Sequence, residues 1–192
     1  MDLSDKTIGF AMCGSFCTFK RAVAVIRTLT ETGAEVIPVM SETAALTDTR
    51  FGNAADFISE IETLTGHRVI STIKDAEPIG PRAPFDLLIV LPCTGNTLAK
   101  AAAGITDSSV TMAIKAHLRN GRPVLIGVST NDGLATAAQN IGALMTRRNI
   151  YFIPFAQDDT EKKPSSLVAL FDRTLPAAEA ALDGKQLQPV LG

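Results

Sequence analysis

The residues best equipped to do chemistry in this chain are small and polar, and they come in clusters. These are Cys13-Gly-Ser15, Pro92-Cys-Thr-Gly-Asn-Thr97 and Ser129-Thr-Asn-Asp-Gly133, with Ser41-Glu-Thr43 as a weaker fourth. Gly14 and Gly95 let a backbone come close to a ligand, while Ser15, Ser41, Thr94, Asn96, Thr97, Ser129, Thr130 and Asn131 carry hydroxyls and amides that can hold one. The three main clusters each stand at the mouth of an expected helix, whose first N–H groups have no intrahelical partner and whose dipole favours an anion. Ser, Thr, Asn and Asp are also the usual N-caps, so capping alone explains any one cluster. What sets them apart is that each follows an expected strand, and parallel strands end along one edge. A phosphate held by N–H groups and hydroxyls suits that edge. The first turn, Gly9-Phe-Ala-Met-Cys-Gly14, lacks the Gly-x-Gly-x-x-Gly spacing, so it speaks for a mononucleotide phosphate rather than NAD bound in the usual way.

Other reactive groups are sparse. His67 falls in the turn-like Thr65-Gly-His-Arg68 and His117 inside a helical pattern, which gives both a surface or packing role. Cys13, Cys17 and Cys93 lack histidines at ligand spacing, are too few for a disulfide framework and read as reduced thiols. No metal is expected, and catalysis is assigned to a cofactor. One further segment, Phe155-Ala-Gln-Asp-Asp-Thr-Glu-Lys-Lys-Pro164, sets carboxylates and the pair Lys162 and Lys163 beyond the last expected strand. A solvated loop is its plain reading. A lid or docking loop for an acidic substrate, with Lys162 and Lys163 as the charges, is its functional one.

The elements that must position these residues alternate. Apolar runs at 7–12, 35–40, 86–91, 123–128 and 150–154 predict strands, most of them apolar throughout, as in a sheet covered on both faces. Helices are predicted from Ser15 to the stop at Gly33 and over 53–64, 96–103, 108–118, 132–148 and 165–182, the last with a capping-like Pro164-Ser165-Ser166 start. Residues 71–85, with Pro78, Gly80, Pro81 and Pro84, predict a connector after a short strand at 68–71. The fold class is therefore α/β, a three-layer Rossmann-like or flavodoxin-like parallel sheet with helices on both faces, in one domain over 1–192. With 46% apolar residues and a formal charge of -2, nucleic acid is not an expected partner. No apolar run approaches the ~20 residues that span a bilayer, so membrane association is not expected and a cytoplasmic location is the default.

The same motifs carry a resemblance. Gly14-Ser15, Pro92-Cys-Thr-Gly-Asn-Thr97 before an Ala-rich helix with Gly104-Ile-Thr-Asp107, and Ser129-Thr-Asn131 together resemble the flavoprotein family of homo-oligomeric FMN-containing cysteine decarboxylases and their relatives. Over nearly the whole chain, Thr49-Arg-Phe-Gly52, Ala76-Glu-Pro-Ile-Gly-Pro81, Thr106-Asp-Ser108 and Ile153-Pro-Phe-Ala-Gln-Asp-Asp159 with Lys162-Lys-Pro164 are similar to one branch of that family, the B subunits of dipicolinate synthases. That resemblance implies FMN as cofactor, with Gly14 and Ser15 at its phosphate, Ser41 assisting, Thr94, Gly95, Asn96 and Thr97 along the flavin and its tail, and Ser129, Thr130 and Asn131 facing the ring or substrate. Asp107 joins Lys162 and Lys163 as a substrate-binding candidate. It also implies a trimer or dodecamer, a partner in the A subunit of dipicolinate synthase, which carries the NAD(P) site, and a joint oxidation of dihydrodipicolinate, a small dicarboxylate, to dipicolinate in the sporulating mother cell. The alternatives are a non-catalytic scaffold that completes the site of that partner, and an FMN-dependent decarboxylase. The decarboxylase branch has a histidine where this chain has Glu77-Pro-Ile-Gly-Pro81, and a Pro-Ala-Met-Asn motif where it has Val128-Ser-Thr-Asn131.

Overall fold

Five apolar runs form the parallel strands that the sequence predicts: β1 (Thr7–Met12), β2 (Glu35–Met40), β3 (Leu87–Cys93), β4 (Val124–Thr130) and β5 (Ile150–Phe152). They pair in the order β2-β1-β3-β4-β5, the flavodoxin-like sequence of strands. This computed structural model describes residues 3–82 and 84–192. All seven residues of β3 are buried, because side chains alternate between two covered faces: Leu87, Ile89 and Leu91 enter one core, Leu88 and Val90 the other. Each such side chain contributes ~1.5–3 kcal/mol by leaving water, which is why the central strand is apolar without interruption.

Nine helices are described: α1 (Phe19–Glu31), α2 (Glu42–Leu46), α3 (Ala54–Thr65), α4 (Ile73–Ala76), α5 (Ile79–Arg82), α6 (Gly95–Ala103), α7 (Ser109–Arg119), α8 (Ala138–Met145) and α9 (Thr174–Leu182). Apolar residues of α1, α3 and α9 pack in the first core, and those of α5, α6, α7 and α8 in the second. The layers are thus helix, sheet, helix, as expected. No helix among the described residues is long and apolar enough to cross a membrane.

Several segments differ from expectation, and each has a local cause. The helix expected over 165–182 starts only at Thr174; before it run β6 (Phe155–Asp159) and β7 (Lys163–Ala169), so the expected loop 155–164 is one arm and the turn of an antiparallel hairpin. β5 pairs only with Val124, Leu125 and Ile126 of β4, which leaves the far end of β4 with backbone groups to satisfy. Ser129 and Thr130 satisfy them by pairing with Val168 and Leu167 of β7. The helix expected over 132–148 is reduced to α8 after a run of turns, the connector 71–85 contains the single-turn α4 and α5, and the strand expected at 68–71 is one bridge from Ile70 to Val39. The helix expected from Ser15 opens with a 3-10 turn at Phe16–Thr18.

His117 has the packing role read from the sequence, in an extreme form. It is fully buried in α7, stacks toward Phe85 at 6.1 Å between ring centres, and neither ring nitrogen makes a hydrogen bond of good geometry. Burial pushes its pKa down from 6.5 to about 4, only partly offset by the backbone carbonyl of Pro123. The unfolded chain therefore takes up a proton that the folded chain refuses over this interval. Stability owed to neutral His117 is complete above pH 6.5 and is lost as the pH falls to 4, by up to ~3 kcal/mol. Denaturant titrations across that window should show unfolding free energy falling with pH, and His117→Leu should flatten the part of that slope due to this residue.

Candidate functional site

Three backbone or side-chain links draw the strand ends together. The N–H of Cys13 donates to the Pro92 carbonyl at 3.1 Å and that of Ser41 to the Met12 carbonyl at 3.0 Å, so the turns after β1, β2 and β3 stand side by side. Across the next gap, the hydroxyls of Ser15 and Ser129 share a hydrogen bond of 2.8 Å. Two cavities open on this edge, and Gly14 and Thr94 line both. The first, of about 580 Å³, lies toward β2 and takes Ser41, Asn96, Thr97 and Asp107 into its wall. The second, of about 470 Å³, lies toward the hairpin and takes Ser15, Ser129, Thr130, Asn131 and Lys163.

Eleven of the thirteen residues singled out from the sequence therefore line one cavity or both, while Gly95 and Lys162 line neither. Gly95 sits beneath the loop after β4: a Cβ there would stand 2.7 Å from Thr130 Oγ1 and 2.8 Å from Asp132 Oδ1. It is a glycine because α6 begins in contact with those two side chains, which hydrogen-bond each other. Lys162 belongs to the hairpin turn, exposed, with its backbone N–H on the Asp159 carboxylate at 2.9 Å.

Capping accounts for part of the cluster pattern. Ser41 Oγ accepts from the Ala44 N–H at 3.2 Å, opening α2, and Thr94 Oγ1 from the Thr97 N–H at 3.4 Å, opening α6. Ser15 caps nothing; its hydroxyl is spent on Ser129. The N-terminus of α7 is met by the chain itself, since the Glu42 carboxylate accepts from the Ser109 N–H at 3.2 and 3.3 Å. At α6 no carboxylate among the described residues accepts from a first-turn N–H, although Asp132 stands against Gly95: Gly95 and Asn96 lie in that turn, where backbone N–H groups are beyond the helical ladder. A Cβ at Gly14 would meet nothing of the chain closer than 3.5 Å, so the backbone there is open to both cavities.

The charged groups divide between the two cavities. Lys100 and Asp107 pair at 2.9 Å in the first, and the Lys100 ammonium holds the Asp107 carboxyl below its ordinary range. In the second, Lys163 pairs with Asp158 across the hairpin at 2.9 Å, and that carboxylate raises the Lys163 pKa. The Arg21 guanidinium, also in the second wall, lies 4.1 Å from the centre of the Phe171 ring. Cys13 and Cys93 are buried, with the Thr97 hydroxyl donating to Cys13 Sγ at 3.2 Å; contact with Cys13 and burial push the Cys93 thiol well up and keep it protonated. Cys17 is exposed in the wall of the second cavity. Neither histidine reaches the edge: His67 pairs with Glu35 at 3.2 Å and His117 is sealed in α7.

Sequence reasoning assigned no site role to Arg21, Phe51 or Lys100, and it singled out Glu42 and Asp158 only as parts of the 41–43 and 155–164 stretches; all five line a cavity. Arg21 had a signal, since it stands six residues after Ser15 on the helix that Ser15 leads into. Asp158 was visible as a carboxylate of the 155–164 segment, but its pairing with Lys163 exists only once residues 155–169 are known to form a hairpin.

A family model described as flavoprotein matches residues 1–174. The B subunit of dipicolinate synthase from Bacillus subtilis (strain 168) is 47% identical over 189 residues, covering 98% of this chain and 94% of that protein. The crystal structure of the corresponding dipicolinate synthase B subunit from Bacillus halodurans superposes with a TM-score of 0.92 at 44% identity, over 100% of this chain and 98% of the other. A dodecameric FMN-dependent Ubix-like decarboxylase from Escherichia coli O157:H7 superposes with a TM-score of 0.63 at 26% identity, over 77% and 79% of the two chains.

The contact beneath Gly95 makes a simple test of how the edge is built. Gly95→Val should force Thr130 and Asp132 apart and lower unfolding free energy by ~1–3 kcal/mol, measured as a lower denaturation midpoint, whereas Asn96→Ala, exposed one residue later, should leave the midpoint nearly unchanged.

Proposed function

We propose, from the premise that the chain belongs to the flavoprotein family and stands with the dipicolinate synthase B subunits within it, that it is the flavin-binding half of a two-subunit oxidoreductase. Its substrate on this reading is dihydrodipicolinate, its product dipicolinate, and its partner the A subunit of dipicolinate synthase, which holds the NAD(P) site. One observation carries the reading: the two cavities at the strand ends meet at Gly14 and Thr94. A cofactor and a substrate held in adjoining cavities would touch there.

The residues present fit FMN. Its phosphate ester needs N–H donors, and the first turn of α6 with the open backbone at Gly14 supplies them, flanked by Thr94, Asn96 and the Ser41 hydroxyl; the nearby Asp132 carboxylate accepts from the Thr130 hydroxyl and Asp107 pairs with Lys100. The Glu42 carboxylate occupies the N-terminus of α7, which leaves α6 as the helix end of this cavity for the phosphate, with Lys100 in the same wall as a cation. When bound, FMN would supply a two-electron acceptor for the hydrogens that the substrate loses. Ser129, Thr130 and Asn131 form the substrate side, and Lys163 adds positive charge for a dicarboxylate; Ser15, which the resemblance puts at the FMN phosphate, lines this cavity rather than the first, with its hydroxyl on Ser129. Asp107, locked to Lys100, is the wrong charge for that ligand and serves to fix Lys100 at the cofactor side. A decarboxylase of the histidine-dependent kind finds no histidine at this edge. Exposed Leu46, Phe51, Ile105 and Leu134 suit burial in a homo-oligomer.

The absorption spectrum of the purified protein, alone and with its partner, is the direct test; a flavin band is expected, and its absence in both samples would overturn the cofactor assignment. Asn96→Asp should weaken FMN by at least about tenfold through repulsion of the phosphate. The same change should leave folding intact or strengthen it slightly, since a carboxylate suits a helix first turn. Fluorescence titration and thermal denaturation separate the two effects.

A further inference from the structure

The second cavity differs from the first in the sign of its charge. Its lining carries two cations, Arg21 and Lys163, against one carboxylate, Asp158, whereas the first carries Lys100 against Glu42 and Asp107. Side-chain charge therefore favours a dicarboxylate toward the hairpin, whereas the phosphate seat in the first cavity depends on helix N–H donors rather than on net charge. Within the second cavity, Lys163 is already committed to Asp158 at 2.9 Å. Arg21 makes no ion pair among the described residues; its guanidinium instead rests on the face of Phe171, 4.1 Å from the ring centre, and Phe171 is itself buried. Stacking by the planar face leaves the guanidinium edge, with its parallel N–H donors, available to a carboxylate. It also holds a long side chain that would otherwise lose conformational freedom on binding. Arg21 lines the same cavity as the paired hydroxyls of Ser15 and Ser129, and with Phe171 it also lines an adjoining hollow.

We infer that Arg21, positioned by Phe171, is the residue that recognises one carboxylate of a planar dicarboxylate in the Ser15–Ser129 cavity and so sets the preference for dicarboxylate over monocarboxylate ligands. The inference rests on the oxidoreductase reading for the identity of the ligand, and goes beyond it in assigning recognition to a residue of α1 that no cluster at the strand ends contains. Phe171 acts through Arg21 and is a positioning residue. Lys163 supplies field, with its strength tempered by Asp158.

The test uses the FMN-saturated full chain and calorimetric titration with pyridine-2,6-dicarboxylate and with pyridine-2-carboxylate, in metal-free buffer. The unaltered protein is expected to prefer the dicarboxylate. Arg21→Gln should weaken the dicarboxylate by about 10- to 100-fold, the loss of one charge-assisted pair, and bring the two ligands to similar affinity, with the flavin spectrum and FMN affinity unchanged. Phe171→Leu should produce a smaller loss in the same direction, and Lys162→Gln none. Dicarboxylate binding that survives Arg21→Gln undiminished overturns the inference while leaving the oxidoreductase reading intact. Loss of FMN affinity with Arg21→Gln also overturns it, by moving Arg21 to the cofactor. Absence of dicarboxylate binding to the unaltered protein, with and without its partner, removes the inference and the substrate part of the reading together, whereas absence of a flavin band removes only the cofactor part.

Discussion

The hydrogen bond from the Cys13 N–H to the Pro92 carbonyl is the constraint from which the rest of the edge follows. It keeps β1 and β3 in step beyond their last ladder pairs, so both chains turn outward at the same level. Ser41 is brought to that level by its N–H on Met12, and Ser129 by its hydroxyl on Ser15. Residues from four turns thereby form one polar rim over a sheet whose central strands are almost wholly buried. A rim of hydroxyls and unpaired N–H groups is costly to cover with protein and favourable to cover with a polar ligand, which is why the paired cavities open on this rim.

Electrostatics then distinguishes parts of a rim that looks uniform in composition. Glu42 satisfies the N-terminus of α7 and thereby closes it to anions, while at α6 no carboxylate among the described residues accepts from a first-turn N–H. Asp107 is balanced by Lys100 on one side, and Asp158 by Lys163 on the other, yet Arg21 adds a cation with no balancing carboxylate only at the hairpin side. Two neighbouring cavities with shared residues at Gly14 and Thr94 thus differ in the charge of their walls. The buried thiols of Cys13 and Cys93 lie beneath the junction and contribute packing there.

Much of this was legible in the sequence because it depends on local pattern. The five parallel strands announce themselves as apolar runs, since burial on both faces removes any reason for polar alternation. The helix start at Ser108 is visible as a cap and its side chain does cap, while the helix expected from Asn96 begins one residue earlier, at Gly95, with Thr94 as its cap. Ser15 shows the limit: its residue type is that of a cap, but its hydroxyl is taken by Ser129, 114 residues away. The hairpin of β6 and β7 shows it again. Pro164-Ser165-Ser166 before Leu-Val-Ala satisfies the local rules for a helix start, yet the unpaired end of β4 recruits it as a strand.

The sequence by itself determined the strand and helix alternation, the apolar core and the identity of the polar turns, because these follow from spacing and side-chain type over a few neighbouring residues. Only the tertiary structure decided which turns meet, that Gly95 packs against Thr130 and Asp132, and that Arg21 and Lys163 share a wall that Lys162 does not line. Those are relations between residues far apart in the chain, set by strand order and by the hydrogen bonds that β5 leaves β4 to find elsewhere.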